Sequence, residues 1–249
     1  MTNFTGQTVL VTGGGTGIGR ATSLLFAQHG ANVVVNYSRS EKEAEQTAAD
    51  VRELGVKAIA VQANVADNDA VVAMVDRTVS EFGRLDVLVN NAGTTHIVPY
   101  LELDELSEDK WDDILGVNVK GTFFCSRAAI AEMKKAGSGH IVNVTSIAGI
   151  TGRGSSIAYA ASKAALNNMT KAMALSQAPD IRVNAVAPGV VMTRWVKGWE
   201  QYTDAHKDET PMKRLAQPED VAKAIYALAC NEFITGEIMT VDGGRLLNV

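Results

Sequence analysis

The stretch TVLVTGGGTGIGR, residues 8–20, decides the fold. An apolar run of strand length passes directly into a glycine-rich turn, and a segment of helical period continues from Gly17 to His29. Glycine lets the backbone of such a turn approach a pyrophosphate, and the N-terminus of the following helix offers unpaired N–H groups and a partial positive charge. Tight strand-to-helix turns also use glycine for steric reasons alone, so the interpretation depends on the rest of the chain.

Six more apolar runs of strand length alternate with segments of helical period, at residues 32–37, 57–65, 85–93, 139–146, 181–188 and 236–244. The second run, NVVVNY, is apolar on both faces, which is typical of a parallel strand covered by helices on both sides. The alternation predicts an α/β, single-domain Rossmann fold over residues 1–249, with a doubly wound seven-stranded parallel sheet and helices on both faces. The long connection 189–216 has weak periodicity and is predicted to be a flap over the substrate.

Composition and charge narrow the class of function. The chain is 46% hydrophobic with a net charge of -5 and has no basic stripe, which argues against nucleic acid as a partner. No apolar stretch approaches the roughly 20 residues that cross a bilayer, and no secretory leader pattern opens the chain, so we expect a cytoplasmic protein without a membrane partner. Cys125 and Cys230 form no CxxC pair and have no histidine at the spacing of a metal ligand. We therefore predict two buried thiols in a reducing compartment and no metal site.

The glycine-rich turn predicts a dinucleotide site. Its pattern, TGGGTGIG at residues 12–19, is followed by no Lys-Ser or Lys-Thr pair, so it is not a Walker loop. An NAD site usually places a carboxylate at the end of the second strand, for the ribose 2′-hydroxyl. This chain has Ser38, Arg39 and Ser40 there and no carboxylate before Glu41, which predicts a 2′-phosphate site and NADP(H) over NAD(H). The alternative for Arg39 is an ordinary loop cation.

A second stretch, IAYAASKAAL at residues 157–166, places a phenol and an ammonium one helical turn apart. Bringing a tyrosine pKa from about 10 to ~7 requires about 4 kcal/mol, and a positive charge ~4 Å away at an effective dielectric of ~20 supplies about that much. Lys163 can therefore tune Tyr159 for proton transfer. The same spacing also occurs in ordinary helix-surface pairs. Ser146, at the carboxyl end of the fifth strand where α/β sheets bind ligands, favours catalysis.

With these motifs in place, the chain resembles the short-chain dehydrogenase/reductase family, in its single-domain NAD(P)-dependent branch. The resemblance covers essentially the whole length and rests on TGGGTGIG (12–19), NNAG (90–93), VNVKGTF (117–123), Ser146, YAASK (159–163), NAVAPG (184–189) and TVDGG (240–244). It implies reversible hydride transfer between a nicotinamide and a ketone or secondary alcohol.

The resemblance also implies roles for individual residues. Tyr159 would be the acid and base, Lys163 would lower its pKa and bind the nicotinamide ribose, and Ser146 would hydrogen-bond the substrate oxygen. Asn118 would hold a water that relays protons through Lys163, and Asn64 replaces an aspartate that is common in the family. The predicted cofactor-binding residues are Gly13, Gly15, Thr16, Gly17, Ile18, Gly19, Tyr37, Ser38, Arg39, Asn64, Val65, Asn91, Ala92, Gly93, Tyr159, Lys163, Pro188, Gly189, Val191 and Thr193.

Three loops are predicted to form the substrate pocket: residues 94–97, residues 147–154 and the flap. The aromatic residues of the flap would cover a hydrophobic substrate, although they fit a subunit contact or the core equally well. Arg153 and Arg194 are candidate anchors for an anionic group. The predicted pocket residues are Thr95, Ile97, Ala148, Trp195 and Trp199.

The substrate stays open at this point. The motif pattern is similar to that of 3-oxoacyl-carrier-protein reductases, but those tend to carry docking arginines at positions that correspond here to Ala131 and the region of Met173, with only Lys134, Lys135 and Lys171 nearby. A non-catalytic dinucleotide sensor is disfavoured because all four catalytic positions are filled, and an epimerase or dehydratase because its extra substrate domain is missing. The resemblance further implies a homotetramer.

Overall fold

The computed structural model describes residues 3–196 and 200–248. Its strands are β1 (Thr8–Val11), β2 (Asn32–Tyr37), β3 (Ala58–Gln62), β4 (Val87–Asn90), β5 (Gly139–Val144), β6 (Ile181–Pro188) and β7 (Ile238–Val241). They form one seven-stranded sheet in the order β3-β2-β1-β4-β5-β6-β7, and every neighbouring pair is parallel. The predicted Rossmann sheet is confirmed.

Helices cover both faces of this sheet. They are α1 (Gly17–Gln28), α2 (Glu41–Glu53), α3 (Asn68–Phe82), α4 (Glu108–Leu115), α5 (Thr122–Ala136), α6 (Ala148–Thr151), α7 (Ile157–Gln177), α8 (Glu200–Glu209) and α9 (Pro218–Cys230). The residues of α1, α2 and α9 pack in one core cluster, and those of α3, α5 and α7 pack in the other. None of the helices in the described part of the chain is long and apolar enough to cross a membrane.

The apolar strands alternate between these two clusters. Val9 and Val11 of β1 point to the α1 side, whereas Leu10 between them points to the α3 side, and all three are fully buried. Val33, Val34 and Val35 repeat this alternation in β2. Because successive side chains of a strand point to opposite faces, a continuous valine run is what a doubly covered strand requires.

The strand order places the functional loops together. β1 is flanked by β2 and β4, so the chain reverses its direction of progress across the sheet beside β1. Ligands of open α/β sheets bind beyond the carboxyl ends of the strands at such a reversal. The glycine-rich turn after β1, the loop after β4 and Ser146 after β5 therefore meet at one edge.

The connection 189–216 is more regular than its sequence predicts. It contains a 3₁₀ turn, Arg194–Val196, and helix α8, and Met192 N donates to Ala216 O at 2.9 Å, joining its two ends. The sequence of α8, EQYTDAHKDE, lacks an apolar stripe, which explains why periodicity does not reveal it. The predicted pocket residue Trp199 lies outside the described residues.

Candidate active site

The glycine-rich turn is held in place by the loop after β4. Thr12 Oγ1 accepts hydrogen bonds from Asn91 N and Ala92 N, both at 3.0 Å, and Asn91 Nδ2 donates to Thr12 O at 2.9 Å. A Cβ on Gly19 would lie 2.2 Å from Gly13 O, so this position admits only glycine. The side chain of Asn91 thus braces the turn.

The end of the turn suits an anion. Helix α1 begins at Gly17, whose φ of +51° favours glycine. The N-cap residue Thr16 makes no side-chain capping bond, and the first turn of α1 carries no acidic residue. The N–H groups of this turn therefore keep the positive end of the helix dipole open toward the cleft, which fits a pyrophosphate.

The end of β2 divides into buried and exposed residues. Tyr37, predicted to bind the cofactor, has its side chain in the core cluster, where burial and the neighbouring Glu41 raise its pKa. Ser38 and Arg39 are exposed beyond the strand. Of this predicted trio, only these two side chains are presented at the surface for a 2′-phosphate.

The two predicted cofactor-binding residues after β3 also differ in exposure. Asn64 is exposed, and its Oδ1 accepts from Ala66 N at 3.1 Å. Val65 is buried and presses on the backbone of Gly121, where a Cβ would lie 2.8 Å from Val65 Cγ2. Asn64 is available to a ligand, whereas the side chain of Val65 packs.

Lys163 is buried where three elements meet. Its side chain is 4% exposed, and Nζ donates to Val144 O, at the end of β5, at 2.9 Å. Nζ lies 5.6 Å from the centroid of the Tyr159 ring. A Cβ on Gly93 would lie 3.8 Å from the same Nζ atom. Burial lowers the pKa of Lys163 from 10.5 to about 8, so the ammonium form still predominates at neutral pH.

Asn118 ties the loop after β4 to helix α7. It lies in a π-helical turn, Gly116–Gly121, between α4 and α5. Its Oδ1 accepts from Thr94 N at 2.8 Å, and its Nδ2 donates to Thr94 O at 3.1 Å and to Ser162 Oγ at 3.0 Å. Single π turns that interrupt α-helices are frequent at functional sites.

Ser146 and Tyr159 border the same loop. Ser146 is half-buried, and its Oγ accepts from Ala148 N at 3.1 Å. A Cβ on Gly154 would lie 3.0 Å from Ala148 Cβ and 3.2 Å from Tyr159 Cδ1, so the side chains of Ala148 and Tyr159 both lie next to Gly154. Ser156 starts α7 by accepting from Tyr159 N at 3.2 Å, which fixes the first turn of that helix.

Two of the predicted pocket loops are joined side by side. Val98 N donates to Ser155 O at 2.9 Å, and Tyr100 Oη donates to Gly152 O at 2.7 Å. The Thr95 hydroxyl is hydrogen-bonded to the Ser155 hydroxyl. Ile97 remains 57% exposed, which leaves an apolar surface at this wall.

The third predicted loop crosses the cleft from β6. Thr193 Cγ2 would lie 3.1 Å from a Cβ on Gly17, and Trp195 Cη2 would lie 3.7 Å from one on Gly93. Pro188 ends β6, and a Cβ on Gly189 would lie 3.3 Å from Asp242.

The predicted cofactor contact Val191 and the two candidate anion anchors lie in different surroundings. The side chain of Val191 packs in the core cluster and does not stand free in the cleft. Arg194 points to Ser40 at the cofactor end, whereas Arg153 is exposed after α6.

Several bracing residues escape the sequence-based prediction. Asn36 is the clearest: it is 1% exposed, its Oδ1 accepts from Gly13 N at 3.2 Å, and its Nδ2 donates to Ala63 O at 3.0 Å. An amide inside an apolar strand is the signal that could have revealed it, because buried polar groups need partners. Thr94, Ser156 and Ser162 carry no such local signal.

Comparison with known proteins agrees with this geometry. The family model described as short chain dehydrogenase matches residues 7–203. A ketoacyl reductase assigned to the granaticin polyketide synthase of Streptomyces violaceoruber is 40% identical over 241 residues, covering 96% of this chain and 95% of that protein. A 3-oxoacyl-[acyl-carrier-protein] reductase of Staphylococcus aureus is 39% identical over 252 residues, covering 97% and 98%.

Solved structures lead to the same family. One solved structure is that of a protein from Burkholderia xenovorans assigned as a short-chain dehydrogenase/reductase. It superposes with a TM-score of 0.92 at 34% identity, covering 99% of this chain and 100% of that one. The chain therefore belongs to the short chain dehydrogenase family of oxidoreductases.

Proposed function

We propose that the chain catalyses reversible hydride transfer between NADP(H) and a ketone or secondary alcohol, with Tyr159 as the proton donor and acceptor. One observation carries this proposal: the buried ammonium of Lys163 lies beside the Tyr159 ring at the sheet edge that also holds the glycine-rich turn. Lys163 forms no ion pair with a carboxylate in the described part of the chain, so no neighbouring negative charge offsets the effect of its ammonium on the phenol.

The electrostatic effect of Lys163 supplies most of the free energy that this role requires. At 5.6 Å from the ring centroid and an effective dielectric of about 20, a unit positive charge favours the phenolate by about 3 kcal/mol. This effect requires the ammonium form, which predominates below the Lys163 pKa of about 8. Proton transfer near neutral pH follows, since a general acid works best when its pKa lies close to the working pH.

Ser146 and Asn118 support the same chemistry. Because Ser146 Oγ already accepts from Ala148 N, its own proton is free to be donated to a substrate oxygen that becomes negatively charged. Asn118 uses its side-chain amide on Thr94 and Ser162, which supports a positioning role. The proton-relaying water at Asn118 stays a prediction.

The cofactor would be held by this chain's turn and loops. A bound nicotinamide dinucleotide supplies or accepts the hydride. The N-terminus of α1 would bind its pyrophosphate, Lys163 its nicotinamide ribose, and Ser38 with Arg39 its 2′-phosphate. We therefore propose NADP(H) as the preferred cofactor and NAD(H) as the alternative.

A 3-oxoacyl group on a carrier protein is the second candidate substrate. It is favoured by the names of two relatives, a ketoacyl reductase and a 3-oxoacyl-[acyl-carrier-protein] reductase. The expected docking surface is less basic than that substrate requires: Ala131 is exposed but uncharged, and Met173 and Ala174 are buried. A simple ketone therefore remains the first proposal.

The setting proposed for this enzyme is a cytoplasmic homotetramer in which the whole chain forms one domain and residues 189–216 form the flap. Two unpaired cysteines, Cys125 and Cys230, support a reducing compartment. Size-exclusion chromatography with light scattering tests the assembly.

A substrate panel tests the function. Ketones, secondary alcohols, and 3-oxoacyl groups on a thioester or a carrier protein are each offered with NADPH, NADH or the oxidised forms, and absorbance at the nicotinamide band is followed. We expect turnover of a ketone with NADPH. Selective turnover of the carrier-bound substrate would establish the second candidate, and tight cofactor binding without turnover of any substrate would support a sensor and refute the enzyme.

A further inference from the structure

The 3₁₀ turn Arg194–Val196 lies across the cleft, with contacts on both of its walls. On one side Thr193 packs against Gly17, and on the other the ring of Trp195 lies over Gly93. The turn thus joins the pyrophosphate side of the cleft to the loop that borders Lys163. Arg194, between these two contacts, points away from the substrate pocket.

Arg194 reaches the loop between β2 and α2. Its Nη1 donates to Ser40 Oγ at 3.1 Å, a contact between residues 154 positions apart in the chain. Ser40 precedes α2 and makes no side-chain capping bond to it. Within the described residues Arg194 lies within ion-pair distance of no carboxylate, so no negatively charged side chain neutralises it.

The surroundings of this contact favour an anion. Arg39 and Ser38, both exposed, stand next to Ser40 on the same loop. The nearest carboxylate in sequence, Glu41, lies near Tyr37 and helps to raise the pKa of its hydroxyl. Arg39 stands on this loop and Arg194 reaches the loop from the flap, so two guanidinium groups are available to one phosphate, a group that arginine recognises through paired N–H donors.

We propose that Arg194 is a second ligand of the cofactor's 2′-phosphate, which it binds from the flap in exchange for Ser40. This inference rests on the proposed preference for NADP(H). It makes the 2′-phosphate a ligand that holds the turn Arg194–Val196, because Thr193 and Trp195 flank Arg194 in the chain and contact both walls of the cleft. NADP(H) then fixes this turn beside the substrate pocket, whereas NAD(H) lacks the group that Arg194 binds.

The test uses binding as well as turnover. Dissociation constants of NADP⁺, NAD⁺, adenosine 2′,5′-bisphosphate and AMP are measured by isothermal titration calorimetry for the wild type, Arg194→Ala, Arg194→Lys and Ser40→Ala. Removing one charged phosphate contact weakens binding about tenfold or more. We expect that loss for NADP⁺ and the bisphosphate in Arg194→Ala, a smaller loss in Arg194→Lys, and changes within about twofold for NAD⁺ and AMP.

A matched control removes an arginine elsewhere. Arg77 on α3 is 64% exposed and pairs with Glu81, away from the cleft, so Arg77→Ala changes the net charge equally and should leave all four constants unchanged. With NADPH, Arg194→Ala should also raise the KM of the ketone more than it lowers kcat, and with NADH it should change neither.

The outcomes separate the two proposals. A wild type that binds NADP⁺ and NAD⁺ equally overturns the cofactor preference and this inference together. A wild type that prefers NADP⁺ while Arg194→Ala keeps that preference, or loses both cofactors equally, overturns the role of Arg194 alone.

Discussion

Replacing Lys163 by methionine should make the protein more stable while it abolishes turnover. Burial lowers the Lys163 pKa from 10.5 to about 8. At about 1.4 kcal/mol for each pH unit, holding the charged ammonium in this site costs about 3 kcal/mol. Loss of the hydrogen bond to Val144 O opposes this gain by about 1–2 kcal/mol. The variant should therefore gain about 1–2 kcal/mol in free energy of unfolding at pH 7.

The pH dependence of this stability difference shows whether burial of the charged lysine causes it. Between pH 8 and 10.5 the unfolded chain binds more protons at this lysine than the folded chain does, so the stability of the wild type rises with pH over this window. The variant lacks this titration, and its advantage should be full below pH 8 and shrink toward pH 10.5. Urea unfolding followed by circular dichroism at pH 7 and 9.5, at equal protein concentration, measures both values.

A control on the same helix separates charge removal from burial. Lys171 on α7 is exposed, and Lys171→Met should change the free energy of unfolding by no more than about 0.5 kcal/mol. Destabilisation of Lys163→Met at pH 7, or an advantage independent of pH, would refute the reasoning.

Three further predictions follow from other contacts. Ser146→Ala should lower kcat about 10²–10³-fold with an unchanged cofactor dissociation constant, and steady-state kinetics that show a loss below about threefold would remove Ser146 from the mechanism. Gly19→Ala should lower the melting temperature and abolish dinucleotide binding, because its Cβ would lie 2.2 Å from Gly13 O; a normal melting curve would contradict that packing. Burial raises the pKa of Cys125 to about 12, so this thiol should stay unreactive toward a disulfide reagent at pH 8 until urea unfolds the chain. Rapid labelling of Cys125 in the native protein, located by mass spectrometry, would show that it is exposed.

The sheet could be predicted because its strands leave unambiguous local patterns. Val33, Val34 and Val35 have to face apolar helices on both sides, and the glycines of residues 12–19 mark where β1 ends. Helix α8 could not be predicted, since its sequence shows no apolar period. The π turn at Asn118 arises from a shifted hydrogen-bond pattern that hydrophobic periodicity does not record.

The site was predictable to the extent that its residues lie in motifs. Tyr159 and Lys163 are one helical turn apart, so their proximity follows from the sequence. The contact between Arg194 and Ser40 joins distant segments and depends on how the flap folds back, which no local pattern encodes. Val191 shows the reverse case: it is a predicted cofactor-binding residue, but its side chain packs in the core.

The most direct test of the account is the pair of values kcat and cofactor dissociation constant for Tyr159→Phe. The substitution removes only the phenolic oxygen, so the ring remains beside Lys163. We expect kcat to fall about 10²–10⁴-fold, as for the loss of a general acid and base, while the NADP⁺ dissociation constant measured by calorimetry stays within about threefold. Turnover close to that of the wild type would contradict the account.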